Sequence, residues 1–120
     1  MYQAHERAYR RVGTHDLATI GSTFQISPRE IGHLFGVSRQ AVVQWSAGGI
    51  PPSRLADVGR VADVARRLRR TFKRERIPEL VRQANPGLEG DSVLKTLAHA
   101  DGNTRIMNAL DRLISYVPAP

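Results

Sequence analysis

Cysteine is absent from the 120-residue chain. Its absence excludes a disulfide framework and a thiolate metal site, and it fits a reducing compartment. No stretch approaches the roughly 18 consecutive apolar residues that a membrane-spanning helix needs, and the N-terminus lacks the apolar centre of a secretory signal peptide. We therefore expect a cytoplasmic protein.

Aromatic residues are also scarce, at 6% of the chain, whereas 41% hydrophobic and 24% charged residues are ordinary for a globular protein. The core should therefore be mostly aliphatic. The length leaves room for one domain, or for two very small units that share a core.

Acidic residues are few beside basic ones. Eleven Asp and Glu face eighteen Lys and Arg, which gives a net charge of +7. The basic residues are arginines except for Lys73 and Lys95. Because arginine makes planar, bidentate contacts with phosphates and carboxylates, this excess predicts a polyanionic or acidic partner.

The alternating pattern of β-strands is missing, so the sequence predicts an all-α fold. Residues 1–13 are polar and are expected to form a flexible N-terminal arm. A first helix is expected over roughly residues 14–23, with Leu17, Ile20 and Phe24 facing inward. Ser27, followed by Pro28 and Glu30, has the parts of a capping box for a second helix that ends at Phe35.

The longest helix is expected over roughly residues 53–74. Its apolar stripe consists of Leu55, Val58, Val61, Ala65, Leu68 and Phe72, and a row of arginines lies roughly opposite, at Arg60, Arg67, Arg70 and Arg74. Pro78 disfavours helix at Ile77, so a boundary is placed there, between a region of residues 14–76 and a region of residues 77–120. The second region predicts two short helices, the later one capped by Asp91 or Ser92, and a final amphipathic helix over roughly residues 104–117.

Residues around Gly36 have the spacing of a helix-turn-helix unit. Apolar or small residues occupy the positions that lock two crossing helices together, at Ile31, Gly32, Phe35, Val37, Val42 and Trp45. In such a unit the start of the second helix reaches base edges in the major groove, which here means Ser38, Arg39, Gln40 and Gln44. The arginine row of the longest helix is a solvated face, or it contacts DNA phosphates, with Arg60 and Arg67 as the candidates, or it contacts an acidic protein partner. The alternative to the helix-turn-helix is a two-helix corner in another all-α domain, with Ser38 as a cap and Arg39 as a solvated charge.

The second region carries a resemblance to a known family. Its turn "NPGLEG" at residues 85–90, followed by the apolar helix with Val93, Leu94 and Leu97, looks like the toxin-binding domain of Xre/MbcA/ParS-type antitoxins. With the helix-turn-helix pattern, the resemblance covers roughly residues 14–117. It implies an Xre-like helix-turn-helix bundle followed by a small helical toxin-binding domain.

The resemblance also implies function. Similar antitoxins pair with a RES-domain toxin, an NAD-consuming enzyme, block its active site with C-terminal residues and repress their own operon. Carried over to this chain, the toxin contacts would be Arg105, Arg112, Ser115 and Tyr116; these positions could equally form an ordinary wet helix face. A homodimer is expected, because a single short reading helix rarely binds an operator tightly enough.

The sequence is compatible with two other functions, and it does not predict an enzyme. The chain could be a stand-alone regulator, perhaps of phage origin, whose second half dimerises, or a partner-binding protein whose helix-turn-helix no longer binds DNA. An enzyme is not expected, because the sequence has no Gly-rich phosphate loop and its histidines, His5, His15, His33 and His99, lack metal-ligand spacing. No cofactor is expected.

Overall fold

The computed structural model describes the backbone of residues 2–115 and the side chains of residues 13–112. Within that part of the chain every regular element is helical and no strand occurs. The elements are α1 (Tyr2–Phe24), α2 (Pro28–Phe35), α3 (Arg39–Gly48), α4 (Pro52–Thr71), a 3₁₀ turn at Arg74–Arg76, α5 (Ile77–Leu80), a second 3₁₀ turn at Pro86–Leu88, α6 (Val93–Leu97) and α7 (Gly102–Ser115). The predicted all-α fold is confirmed.

One hydrophobic core runs through both predicted regions. α4 packs against α1 and α7, and α1 also contacts α3 and α5. The inward residues predicted on α1 are buried, as are Val58, Val61, Ala65 and Leu68 of the predicted α4 stripe, whereas Leu55 and Phe72 are half-buried. The second region adds buried side chains to the same cluster, among them Ile77, Val81, Leu88, Leu97, Ile106 and Leu110. The two regions therefore share a core.

Several predicted boundaries were wrong. α1 begins at Tyr2 rather than near Thr14, so residues 2–13 continue the helix that was expected to start after them. At Gly13 the helix passes so close to α4 that an added Cβ would lie 3.0 Å from Leu55 Cδ2. Polar residues are compatible with helix when no proline intervenes, and the flexibility expected of the N-terminal arm stays a prediction. The division of the chain at residues 13 and 76 stays a prediction.

The later helices also differ in length. α4 ends at Thr71, because Phe72 adopts an extended backbone and Arg74 begins a 3₁₀ turn. α5 stops at Leu80, so most of the short helix expected after Pro78 is a turn. α7 begins at Gly102 rather than near residue 104.

Ion pairs tie α4 to the helices beside it. Arg66 donates to Asp16 of α1 and, at 2.9 Å, to Asp63 of its own helix. The hydrogen bond to Asp16 is the main reason that the pKa of Arg66 is raised above its ordinary value, against a smaller effect of burial that lowers it. Arg67 pairs with Asp111 of α7. Among the described helices none is long and apolar enough to span a bilayer.

Arg82 connects the second region to the first. Its Nη1 donates to the carbonyls of Phe24 at 3.0 Å and Pro78 at 2.7 Å, and its Nη2 donates to the carbonyl of Gln25 at 2.8 Å. The Glu30 carboxylate lies 3.8 Å from Nη2. Arg82 therefore holds the end of α1 and lies beside the start of α2.

Candidate nucleic-acid interface

The candidate site begins where α2 is capped. Ser27 Oγ accepts a hydrogen bond from the Glu30 amide at 3.2 Å, and Glu30 Oε1 accepts one from the Ser27 amide at 3.1 Å. Pro28 occupies the first turn, where its missing N–H leaves no bond unmade. The predicted capping box is confirmed, and it fixes the start of α2.

Two glycines set the turn between α2 and α3. Gly36 has φ 65° and ψ 34°, a left-handed conformation that ends α2 and that glycine adopts without strain. The Val37 amide then donates to the Gly32 carbonyl at 2.9 Å. An added Cβ at Gly32 would lie 2.6 Å from the Val37 carbonyl oxygen, so only glycine allows this close approach.

The inner face of α3 is fixed by packing. Val42 and Trp45 are buried, and the Trp45 ring lies 6.1 Å from that of Phe35 at an angle of 58° between planes. Arg54 of α4 donates to the Phe35 carbonyl at 3.0 Å and so binds the C-terminal end of α2. α3 is held against the core from behind, as the spacing around Gly36 predicts.

The outer face of α3 presents the predicted base-reading residues. Ser38 Oγ accepts from the Ala41 amide at 3.1 Å, so this hydroxyl caps the helix. Arg39, Gln40 and Gln44 are all exposed. The structure therefore brings the four predicted positions together on the first two turns of one exposed helix.

Val43 is a fifth residue of this face, which the sequence reasoning missed. It is 43% exposed and is the only large apolar side chain classed as exposed among those described. Val43 follows Gln40 by three positions and Arg39 by four, so the three share one face of α3. This spacing could have identified it. An apolar side chain there can contact a thymine methyl group in the major groove.

The two predicted phosphate contacts on α4 have different surroundings. Arg60 is exposed, pairs with Asp57 and lines a cleft of about 430 Å³. The cleft separates the end of α2 from the α6–α7 connection, and His33 and His99 also line it. Arg67 is half-buried, because it donates to Asp111 and to Met107 Sδ, the latter at 3.8 Å. Of these two arginines, Arg60 is the one that lines a cleft with the end of α2.

Candidate toxin contacts lie along α7. Arg105 is half-buried, 3.8 Å from Glu89. Arg112 is exposed at the edge of an apolar groove. Ser115 is the last residue of α7, and its side chain lies outside the described part of the chain, as does Tyr116 altogether. The structure thus places Arg105 and Arg112 on the same helix as Ser115.

The turn "NPGLEG" at residues 85–90 forms a defined local structure. Asn85 Oδ1 accepts a hydrogen bond from the Gly87 amide at 2.8 Å and caps the 3₁₀ turn at Pro86–Leu88. Ser92, rather than Asp91, caps α6 through a bond from the Lys95 amide at 3.1 Å.

Within the part of the chain that the structure describes, no group of three or more His, Asp or Glu side chains is arranged to hold a metal ion. No family model matches the chain, and no curated protein matches it.

Proposed function

We propose that the chain is a cytoplasmic, DNA-binding antitoxin. It binds operator DNA through α3, represses its own operon and neutralises a RES-domain toxin through residues 77–120. The observation that carries the DNA-binding part is the arrangement of α3, whose polar side chains face outward while Val42 and Trp45 hold it from behind.

The DNA-binding mechanism follows from side-chain chemistry. α3 enters the major groove with its N-terminal end first. Arg39 pairs bidentately with a guanine, Gln40 or Gln44 pairs with an adenine, and each good pair contributes about 1–3 kcal/mol of discrimination. The net charge of +7 supplies attraction to the phosphate backbone. Two copies of α3, one from each protomer of a homodimer, read two half-sites.

The toxin-binding part rests on the resemblance of residues 77–120. The capped turn at Asn85 and the amphipathic α7 supply the local structure that the family pattern requires. Arg105, Arg112, Ser115 and Tyr116 then contact the toxin from the final helix and the residues after it.

A second candidate is a stand-alone regulator whose C-terminal half dimerises. The observation that favours it is the shared core, to which described residues of the second region from Ile77 to Leu110 contribute. A neighbouring reading frame for a RES-domain toxin distinguishes the two candidates, because only an antitoxin requires it. In co-expression, only an antitoxin restores growth and co-purifies with the toxin.

Replacing Arg39 and Gln40 together by alanine tests DNA binding. Both side chains are exposed, so the free energy of unfolding should change by no more than about 1 kcal/mol. A gel shift on the chain's own promoter should lose its specific band. A wild-type chain that retards no promoter DNA even at low salt would contradict the proposal, and so would a double variant that still binds specifically.

A further inference from the structure

An apolar groove lies at the end of the molecule where α4 finishes. It has a volume of about 350 Å³ and lies between the end of α4, the second 3₁₀ turn and α7. Its walls are apolar side chains for the most part, including Leu68, Phe72, Leu80, Leu88, Ile106 and Ala109. Phe72, Leu80 and Ala109 are only half-buried, so apolar surface remains exposed in the groove. A volume of this size is at the low end of the range for ligand sites.

Exposed cations follow the groove residue Leu68 along the chain, on both sides of Phe72, which also lines the groove. Residues 69–76 contain five basic side chains, Arg69, Arg70, Lys73, Arg74 and Arg76, with Glu75 as the one carboxylate among them. All five are exposed and none forms an ion pair with a described carboxylate. Arg112 adds a sixth cation on the α7 side of the groove. Two acids near the groove are engaged elsewhere, because Asp111 pairs with Arg67 and Glu89 with Arg105.

The cations of residues 69–76 lie at or just beyond the end of α4 that is farther along the chain from α3, the helix proposed to contact DNA bases. α4 follows α3 directly and has 20 residues, so its two ends are about 30 Å apart at 1.5 Å per residue. The helix dipole favours cations in the last turn, which accounts for Arg69 and Arg70. It does not account for the three further cations beyond Thr71, because the effect falls off within one turn.

We infer that this groove binds an acidic, amphipathic segment of a protein partner. The segment places leucine-, isoleucine- or phenylalanine-like side chains in the groove. Its carboxylates contact Arg112 at the groove and the cations next to Leu68 and Phe72 in the chain, Arg69 and Lys73. A nucleic acid would satisfy the cations but would leave the apolar walls of the groove unfilled, because its backbone has no apolar side groups. The inference rests on the proposed function only in treating residues 77–120 as a partner-binding region.

Peptide selection tests the inference on the full-length chain. A phage library of random 16-residue peptides is selected against the immobilised protein, and the strongest binders are synthesised with fluorescein and titrated by fluorescence anisotropy. We expect the selected sequences to combine Asp or Glu with several large apolar residues. Their affinity should fall as salt rises, because exposed charges are screened.

Two variants locate the binding. Arg69→Glu with Lys73→Glu reverses the charge beside the groove, and Ala109→Trp fills the groove itself. Each should weaken peptide binding about tenfold or more. The matched control is Arg29→Glu with Arg39→Glu, which changes the net charge equally but lies on α2 and α3. It should bind the peptide within about twofold of wild type, since neither residue lines the groove. Circular dichroism confirms that all three variants are folded.

Other outcomes overturn the inference. Selected peptides that are not enriched in Asp or Glu would contradict specific charge pairing. An equal loss of peptide affinity in the control variant would contradict it as well. If Arg69→Glu with Lys73→Glu abolished binding to promoter DNA, the cations would serve nucleic acid instead. If Ala109→Trp converted a dimer to a monomer, a second copy would occupy the groove. If deletion of residues 116–120 were required before any peptide bound, the chain's own C-terminus would occupy it. In each case the gel shift of wild-type protein, and the rescue of growth in co-expression, still test the proposed function separately.

Discussion

Gly32 controls how closely α2 approaches the residues that follow Gly36. Its substitution by alanine brings a Cβ to 2.6 Å from a backbone oxygen, which cannot move without shifting the turn. We predict that Gly32→Ala lowers the free energy of unfolding by about 1–3 kcal/mol, as overpacking does. Urea denaturation measures this change in the free energy of unfolding.

Gly48→Ala is the matched control. Gly48 is also helical, but an added Cβ there would contact nothing within 4 Å. The free energy of unfolding of Gly48→Ala should stay equal to that of wild type or rise by about 0.4–1 kcal/mol. Equal destabilisation by both substitutions would mean that the close contact at Gly32 does not decide the effect.

Val43 allows a test of base reading by a single side chain. We predict that replacing one operator thymine by uracil, which lacks the methyl group, weakens binding by wild-type protein. Val43→Ala should remove that difference, worth about 1 kcal/mol or roughly fivefold in affinity. Anisotropy titrations of wild type and Val43→Ala on the thymine and uracil duplexes give the four dissociation constants of a double-mutant cycle. If Val43→Ala kept the full thymine preference, another residue would read the methyl group.

Individual residues could be predicted from sequence where their roles are local. Ser27, Gly36 and Ser38 act through neighbours within four positions, so spacing alone located them. The role of Arg67 could not be predicted in this way. Its partner Asp111 lies on α7, far along the chain, and a solvated arginine and a paired one look the same in sequence.

At the scale of elements, α3 depends on Ser38 as its cap while Ser38 is also a candidate DNA contact. Ser38→Asp separates the two roles. Aspartate caps a helix about as well as serine, so stability should change by no more than about 0.5 kcal/mol. Its negative charge should repel the DNA backbone, and we predict about tenfold weaker operator binding in a gel shift. Ser92→Asp, at the equivalent cap of α6, should leave DNA affinity unchanged. Undiminished affinity in Ser38→Asp would place the start of α3 away from the phosphates.

The elements themselves were predicted well in type and less well in length. Apolar spacing gave the inward faces of α1 and α4, because a helix of fixed period must bury one side. The start of α1 and the end of α5 were missed, since helix ends depend on what they pack against. Leu55 and Ile50 beside Gly13 show such packing for α1, and both come much later in the sequence.

At the scale of the whole molecule, the shared core predicts cooperative unfolding. Trp45 is the only tryptophan, so its fluorescence reports on the first region alone. Ile106 belongs to the second region and is 2% exposed. We predict that Ile106→Ala destabilises the protein by about 2–5 kcal/mol and that Trp45 fluorescence detects the full loss. Circular dichroism should give the same midpoint. Separate midpoints would show two independently folding regions.

The shared core also affects how toxin contacts are tested. Removing the chain from residue 104 onward would delete Ile106 and Leu110, both buried, along with the candidate contacts. Loss of neutralisation in that truncation would not separate unfolding from lost contact. Substitution of the exposed Arg112 keeps the core intact and is the sharper test of the C-terminal contacts.

Arg82 limits how this molecule could be engineered. Its guanidinium comes from beyond residue 76 yet holds the last carbonyls of α1 and lies beside the cap of α2. A fragment that ends at residue 76 would lose these hydrogen bonds. Under the proposed DNA-binding function, a change of target sequence should therefore begin with exchanges of the outward side chains of α3, carried out within the intact chain rather than by transplanting helices.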